Sequence, residues 1–205
     1  MVMKWTTILL ISVSLLALVF MAFQWYSSQS TSKTESYGYT VVKTFDDFEI
    51  RAYDAALFSY VNMEKQAYRN ASGSGFRVLA GYIFGGNETE EKIAMTTPVR
   101  MEMGDTMRMA FMVPKAYTLE ELPKPNDQRI AFEREEERIV AAICFGGWAD
   151  DESIEEYMQK LLQALEREGI QAKGNIEFLG YNPPYEMVNR RNEVIVEVEY
   201  SDASS

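Results

Sequence analysis

Hydrophobic and polar positions follow different rhythms in successive parts of the 205-residue chain. From Trp5 to Tyr26 there is no polar rhythm at all, because the run is uncharged and dominated by Ile, Leu, Val, Phe, Met and Ala. About 20 helical residues cover the roughly 30 Å hydrocarbon core of a bilayer, so this stretch predicts a membrane-spanning helix. Trp5 at one end and Trp25-Tyr26 at the other suit the two interfacial belts. A signal peptide begins in the same way, with Lys4 as its basic residue, but no small-x-small cleavage site ends the run. Residues 1–26 are therefore expected to be a retained N-terminal anchor or uncleaved signal. Lys4 and the amino terminus favour an inside N-terminus, which puts the remaining chain on the non-cytoplasmic side. Residues 27–36 (SSQSTSKTES) are small, polar and aperiodic, and predict a flexible tether.

From Tyr37 the pattern becomes alternation. Tyr39–Val42, Phe48–Tyr53 and Leu57–Met63 read as strands. Residues 64–84 then read as a helix with Tyr68, Phe76, Leu79 and Ile83 near one face, stopped by Gly85-Gly86-Asn87. Gly73, Gly75 and Gly81 lie inside it at about 1 kcal/mol each relative to alanine. Such small residues either form a flat platform for a ligand or let the helix pack closely on a sheet. Residues 99–113 alternate on both sides of Gly104-Asp105, a hairpin signal. A connector with three prolines, 114–125, leads to a second unit. There, strand Arg138–Phe145 precedes helix Asp151–Glu168, whose apolar stripe is Ile154, Tyr157, Met158, Leu161, Leu162 and Leu165. Acids in the first turn and Gly169 beyond the end fit that helix's dipole and its stop. Strands 176–179 and 193–200 complete the chain. The order gives two β-α-β-β-like halves, each with one helix to cover a sheet face. A single α+β domain over residues 37–205 is predicted, a curved or barrel-like antiparallel sheet flanked by two helices.

The formal charge of −11 becomes −12 when the single positive charge of Lys4 is set aside with the anchor. A domain this acidic repels phosphate backbones, so nucleic acid is not an expected partner. Histidine is absent from the sequence, which removes His-ligated haem, His-containing zinc sites and Ser-His-Asp or Cys-His catalysis. The single cysteine, Cys144, lies in the apolar run 139–145 and reads as a buried, inert thiol. Glu49 and Arg51 alternate with Phe48 and Ile50 and are expected on the solvent face. Six methionines fall between Met95 and Met112. They can line a soft pocket or bind Cu(I) through thioethers, but the alternation of Met101, Met103, Met107 and Met109 favours filling a barrel interior. No catalytic or metal-ligating set is marked. Of the two Asn-x-Ser/Thr sequons, at Asn70 and Asn87, the first falls inside the predicted helix.

Several segments, taken in order, resemble the SOUL haem-binding protein family. Phe48-Glu49-Ile50-Arg51-Ala52-Tyr53 looks like its early strand, and Gly75 through Asn87 is similar to its helix and helix stop. Met95-Thr96-Thr97-Pro98-Val99 matches its MTxPV element. Phe111–Pro114, Pro123-Lys124-Pro125 and Phe145-Gly146-Gly147 follow in order, then Tyr181-Asn182-Pro183-Pro184 and Arg190–Val194. The resemblance spans about residues 39–200. It implies a distorted antiparallel β-barrel of the SOUL and gyrase-inhibitor-like kind, with a non-covalent haem or porphyrin pocket beside the first domain helix. Carried over by position, Phe76, Leu79, Ala80 and Ile83 line that pocket, and Tyr181, Tyr185 and Met187 close it. Arg69 and Arg77 are the cations available for the propionates, and Tyr82 or Tyr181 the phenolates available to iron. The implied role is carrier, buffer or sensor, without histidine ligation.

The same fold resemblance admits a small-molecule hydrolase that uses a pocket glutamate as general base. A purely structural envelope domain is a third reading. A buried unpaired glutamate favours the hydrolase, a hydrophobic slot the carrier, and the absence of a cavity the structural role.

Overall fold

The computed structural model describes residues 2–31, 33–104 and 106–200. Helix α1 (Val2–Thr31) is followed by β1 (Tyr39–Thr44), β2 (Glu49–Tyr53), β3 (Ala56–Glu64) and helix α2 (Tyr68–Ile83). Next come β4 (Val99–Met103), β5 (Thr106–Met112), β6 (Ile130–Glu135) and β7 (Arg138–Phe145). Helix α3 (Asp151–Glu168), β8 (Gln171–Gly180) and β9 (Asn192–Glu199) close the chain. The hairpin is present between β4 and β5; Asp105, expected in its turn, lies outside the described residues.

All nine strands form one sheet in the order β1-β2-β7-β9-β8-β4-β5-β3-β6, every neighbouring pair antiparallel. The sheet curls into a half-barrel, so the α+β fold expected from the sequence is the one found. Its symmetry explains the two halves. The unit β3-α2-β4-β5 has sheet order β3-β5-β4, and β7-α3-β8-β9 has the matching order β7-β9-β8. The halves meet where β4 pairs with β8, from Val99 opposite Gly180 to Met103 opposite Ile176.

Alternation sends each strand's residues to two buried layers. Ile50, Val61, Met101, Met107, Met109, Phe111, Phe178 and Val194 form the layer that α2 and α3 cover. Met101, Met103, Met107 and Met109 of the hairpin thus pack beneath the helices rather than inside the curl, and their thioethers serve as core. Tyr53, Phe58, Met112, Leu179 and Ile195 point the other way, into the curl, where Tyr37 joins them.

Local chemistry fixes both helices. At the start of α3, Asp150 accepts from the Ser153 amide while the Ser153 hydroxyl accepts from the Asp150 amide, a reciprocal cap. Gly169 ends it in the left-handed conformation. The first amide of α2 finds its acceptor on the other helix, with Tyr68 N donating to Asp151 Oδ1 at 2.7 Å. Gly75 lets α2 approach the sheet: a Cβ there would meet Met63 Sδ at 2.8 Å and Met109 Cβ at 3.1 Å. Gly73 and Gly81 face open space.

Helix α1 continues to Thr31, five residues into the segment read as a tether. Its last turns are attached to the domain. Gln24 Nε2 donates to the Tyr185 carbonyl and Gln24 Oε1 accepts from the Met187 amide, both at 3.0 Å. Ser27 Oγ donates to Glu186 Oε1 at 2.9 Å.

Candidate functional site

The outward face of α2 differs from that of α3. Positions 69, 73, 76, 77, 80 and 84 recur at spacings of three and four, so they form one strip along the helix and its cap. In α3 the outward residues are mostly Glu, Lys, Gln and Arg. On α2 the strip reads Arg69, Gly73, Phe76, Arg77, Ala80, Phe84. Phe76 is 40% and Phe84 63% exposed; Gly73, one turn before Phe76, carries no side chain, and Ala80, between the two rings, is buried. Phe76 is held from one side by the Phe111 ring, edge to face at 5.3 Å. Leu79 and Ile83 are buried beneath, in the core. Arg69 and Arg77 are exposed, and among the described residues neither is in a salt bridge. Beside the strip, between Ile83, Ile93, Met95 and Phe111, lies a crevice of about 10 Å³, room for a single water.

The loop that the sequence reading brought over this helix lies elsewhere. The backbone around Tyr185 and Met187 grips the end of α1, and the Tyr185 ring lies 6.3 Å from that of Phe23. Tyr181 packs with the layer inside the curl. Phe76 and the two arginines are exposed on α2, Ala80 is buried with Leu79 and Ile83 in the core, and Tyr181, Tyr185 and Met187 are held by the curl and by the end of α1. Neither tyrosine hydroxyl offered to iron is free. Tyr82 donates to the Pro123 carbonyl at 3.0 Å, and burial pushes its pKa up to about 12. Tyr181 donates to Glu193 at 2.8 Å, and burial, then the Glu193 charge, raise its pKa further. Phe84, the exposed C-cap of α2, is the surface aromatic that helix periodicity does not single out, because it stands at the Gly85-Gly86-Asn87 stop.

The inside of the curl carries a charge network that alternation alone placed on the solvent. Arg51 is buried, with Nη1 donating to Glu193 Oε2 at 2.9 Å and Nε donating to Glu49 at 2.8 Å. Glu193, 0% exposed, also accepts from Arg191 at 2.6 Å and from the Cys144 thiol at 2.8 Å. Burial alone would raise its pKa, but the guanidiniums of Arg51 and Arg191 outweigh burial and hold the carboxyl below its usual range. Cys144 is exposed at the rim rather than buried; desolvation and the neighbouring Glu193 charge hold its thiol protonated. A second cluster joins Arg100 and Arg138 to Glu135 and Glu177, with Arg138 Nη2 donating to Glu177 at 2.8 Å. Asn87 is also buried, its amide nitrogen donating to the carbonyls of Tyr82 and Glu91, so this sequon has no free acceptor nitrogen.

Residues 34–197, most of the chain, match the family model described as SOUL heme-binding protein. The chain belongs to the SOUL haem-binding protein family. Heme-binding protein 2 of Homo sapiens is 30% identical over 156 residues, covering 72% of this chain and 76% of its own length. Solved structures more distant in sequence share the fold. The EcmrR C-terminal domain aligns with a TM-score of 0.60 at 9% identity, over 80% of this chain and 99% of its own. A hydrolase from Listeria innocua aligns with 0.56 at 11% identity, over 77% and 94%.

Within this SOUL domain the buried glutamates are Glu177, Glu186 and Glu193. Glu177 is paired with Arg138, Glu193 with Arg51 and Arg191, and Glu186 accepts from Ser27 and from Asn182. None is the unpaired carboxylate on which the hydrolase reading was to rest. Among the described residues no group of three His, Cys, Asp or Glu is placed to hold a metal ion. Residues Lys4–Ser27 of α1 are long and apolar enough to cross a membrane, a length and composition that a signal sequence also has.

Proposed function

We propose that this SOUL domain binds haem or a related tetrapyrrole on the outward strip of α2, without histidine ligation, as a carrier, buffer or sensor. The observation that carries the reading is the pair of exposed phenylalanines two turns apart on α2 and its cap, Phe76 and Phe84, with Gly73 one turn before the first and with Arg69 and Arg77 on the same side outside any salt bridge. A flat macrocycle needs an apolar face of low relief, which Gly73, Phe76 and Phe84 offer. Its carboxylates need cations, which Arg69 and Arg77 offer in an otherwise acidic domain. The crevice beside Ile83 is far too small for a porphyrin, which favours the helix surface over that crevice as the seat of the ligand. Leu79 and Ile83 support the strip from beneath. The names of the relatives favour this ligand over the Cu(I) alternative, as do the buried methionine thioethers.

The test is titration with hemin, followed at the Soret band. One-to-one saturation is expected. Phe76 is already partly covered, so its remaining contact is worth about 1–2 kcal/mol. Phe76→Ala should weaken binding roughly five- to thirtyfold, while Leu119→Ala, at an exposed site on another segment, leaves it unchanged. Absence of saturable binding, or indifference to Phe76, would sink the reading. Helix α1 is proposed as a retained membrane anchor, with the domain on the non-cytoplasmic side.

A further inference from the structure

The end of α1 and the loop 183–188 are joined by side-chain to backbone hydrogen bonds. Gln24 takes both a carbonyl and an amide of that loop, and Ser27 takes its one carboxylate. Gln24 and Ser27 flank Trp25 and Tyr26, the aromatic pair expected at the bilayer interface. A group hydrogen-bonded at 3 Å to Gln24 sits within a few ångströms of that level. The loop is therefore at the membrane surface wherever α1 spans the membrane.

Its composition fits that position. Tyr185, Met187 and Val188 are each more than half exposed, although a soluble loop of this length more commonly exposes polar groups. The single charged residue of the loop, Glu186, is turned inward and buried. Beside it, Trp148 is exposed, with Arg190 lying over its ring at 4.2 Å. The Arg190 guanidinium donates to the carbonyls of Asn182, Pro183 and Glu186, so its positive charge is held by neutral acceptors at this surface. Apolar tips, two aromatic residues and a cation amid a domain of charge −12 are the chemistry of an interface with anionic lipid.

We propose that the Pro183–Val188 loop, with Trp148 and Arg190, is a second membrane contact that seats the domain directly on the bilayer at the end of its anchor. This rests on the reading of α1 as a membrane anchor. The domain consequently has a fixed face toward the lipid instead of swinging on a tether.

Spin labels on the full chain test it, in vesicles of phosphatidylcholine with a minority of phosphatidylglycerol. Single cysteines replace Met187, Leu119 or Leu15 in a Cys144→Ser background, and each label's relaxation is compared with oxygen and with a water-soluble nickel chelate. The label at 187 should be severalfold less accessible to the chelate, and more accessible to oxygen, than the label at 119. Equal chelate accessibility at 187 and 119, with a lipid-immersed label at 15, would overturn the second contact and leave the anchor standing. Aqueous exposure at 15 would overturn both.

Discussion

Glu193 carries its charge buried from solvent, and its four donors, Arg51, Arg191, Cys144 and Tyr181, decide what that charge does. Replacing one partner of a buried ion pair commonly costs about 3–5 kcal/mol, because the other charge is left uncompensated. Glu193→Ala, which leaves the buried Arg51 with only the half-buried Glu49 opposite it, should therefore lower the unfolding free energy by about 3 kcal/mol, the lower end of that range, in urea melts. The same pairing has a pH signature. A carboxyl held below its usual range in the folded state stabilises the protein above the unfolded value, near 4.5, and that stability drains away as pH falls through the folded value. The melting temperature should drop between about pH 5 and pH 3, with a shallower drop in Glu193→Gln, which lacks the titrating group. An equal drop in both proteins would assign acid sensitivity to other carboxylates. This network was illegible in the sequence. Strand periodicity assigns residues to two faces, but it does not say that both faces are buried, and Arg51 was given to solvent on that ground.

At the scale of elements, α2 separates two uses of glycine. Gly75 is where the helix touches the sheet, and Gly81 is where it touches nothing. Gly75→Val should cost about 1–3 kcal/mol through overpacking against Met63 and Met109. Gly81→Ala should gain about 0.5–1 kcal/mol from helix propensity, and both shifts can be read from chemical denaturation midpoints. Equal effects at the two positions would contradict the packing described. The sequence left open whether the helix glycines served packing or a ligand platform, and the structure divides them, since Gly75 packs while Gly73 lies on the exposed strip. Other elements were legible to different degrees. Helix α3 follows its apolar stripe and caps to the residue, whereas α2, lacking a side-chain cap at Ala67, begins four residues later than its pattern implied. Strand β6 was missed, because its polar residues Glu133, Arg134 and Glu135 break the alternation on which strand recognition depends.

For the whole molecule, helix α1 and the half-barrel form one connected structure. If α1 spans a membrane, the full chain should stay in the membrane fraction after alkaline carbonate extraction, and a chain lacking residues 2–31 should be released. Release of the full chain would mark α1 as a removable or peripheral segment. The site was only half legible at this scale. The strip on α2 follows helix spacing and could be read from the sequence, but the destination of the 181–188 loop depends on contacts with residues 24 and 27, more than 150 positions away.

The open sheet also leaves two margins, β1 and β6, and each is a template on which another chain could add a strand. On β6 the charged side chains of Glu133, Arg134 and Glu135 discourage such growth. On β1 the exposed pair Val41 and Val42 would invite it, but the register slips between Val41 and Lys43, so that Val42 is bulged out of the ladder and a lysine follows. That single irregular residue interrupts the hydrogen-bonding row a neighbour would need. If α1 holds copies in one membrane plane, where they would meet repeatedly edge to edge, the bulge at Val42 works against encounters growing into fibrils.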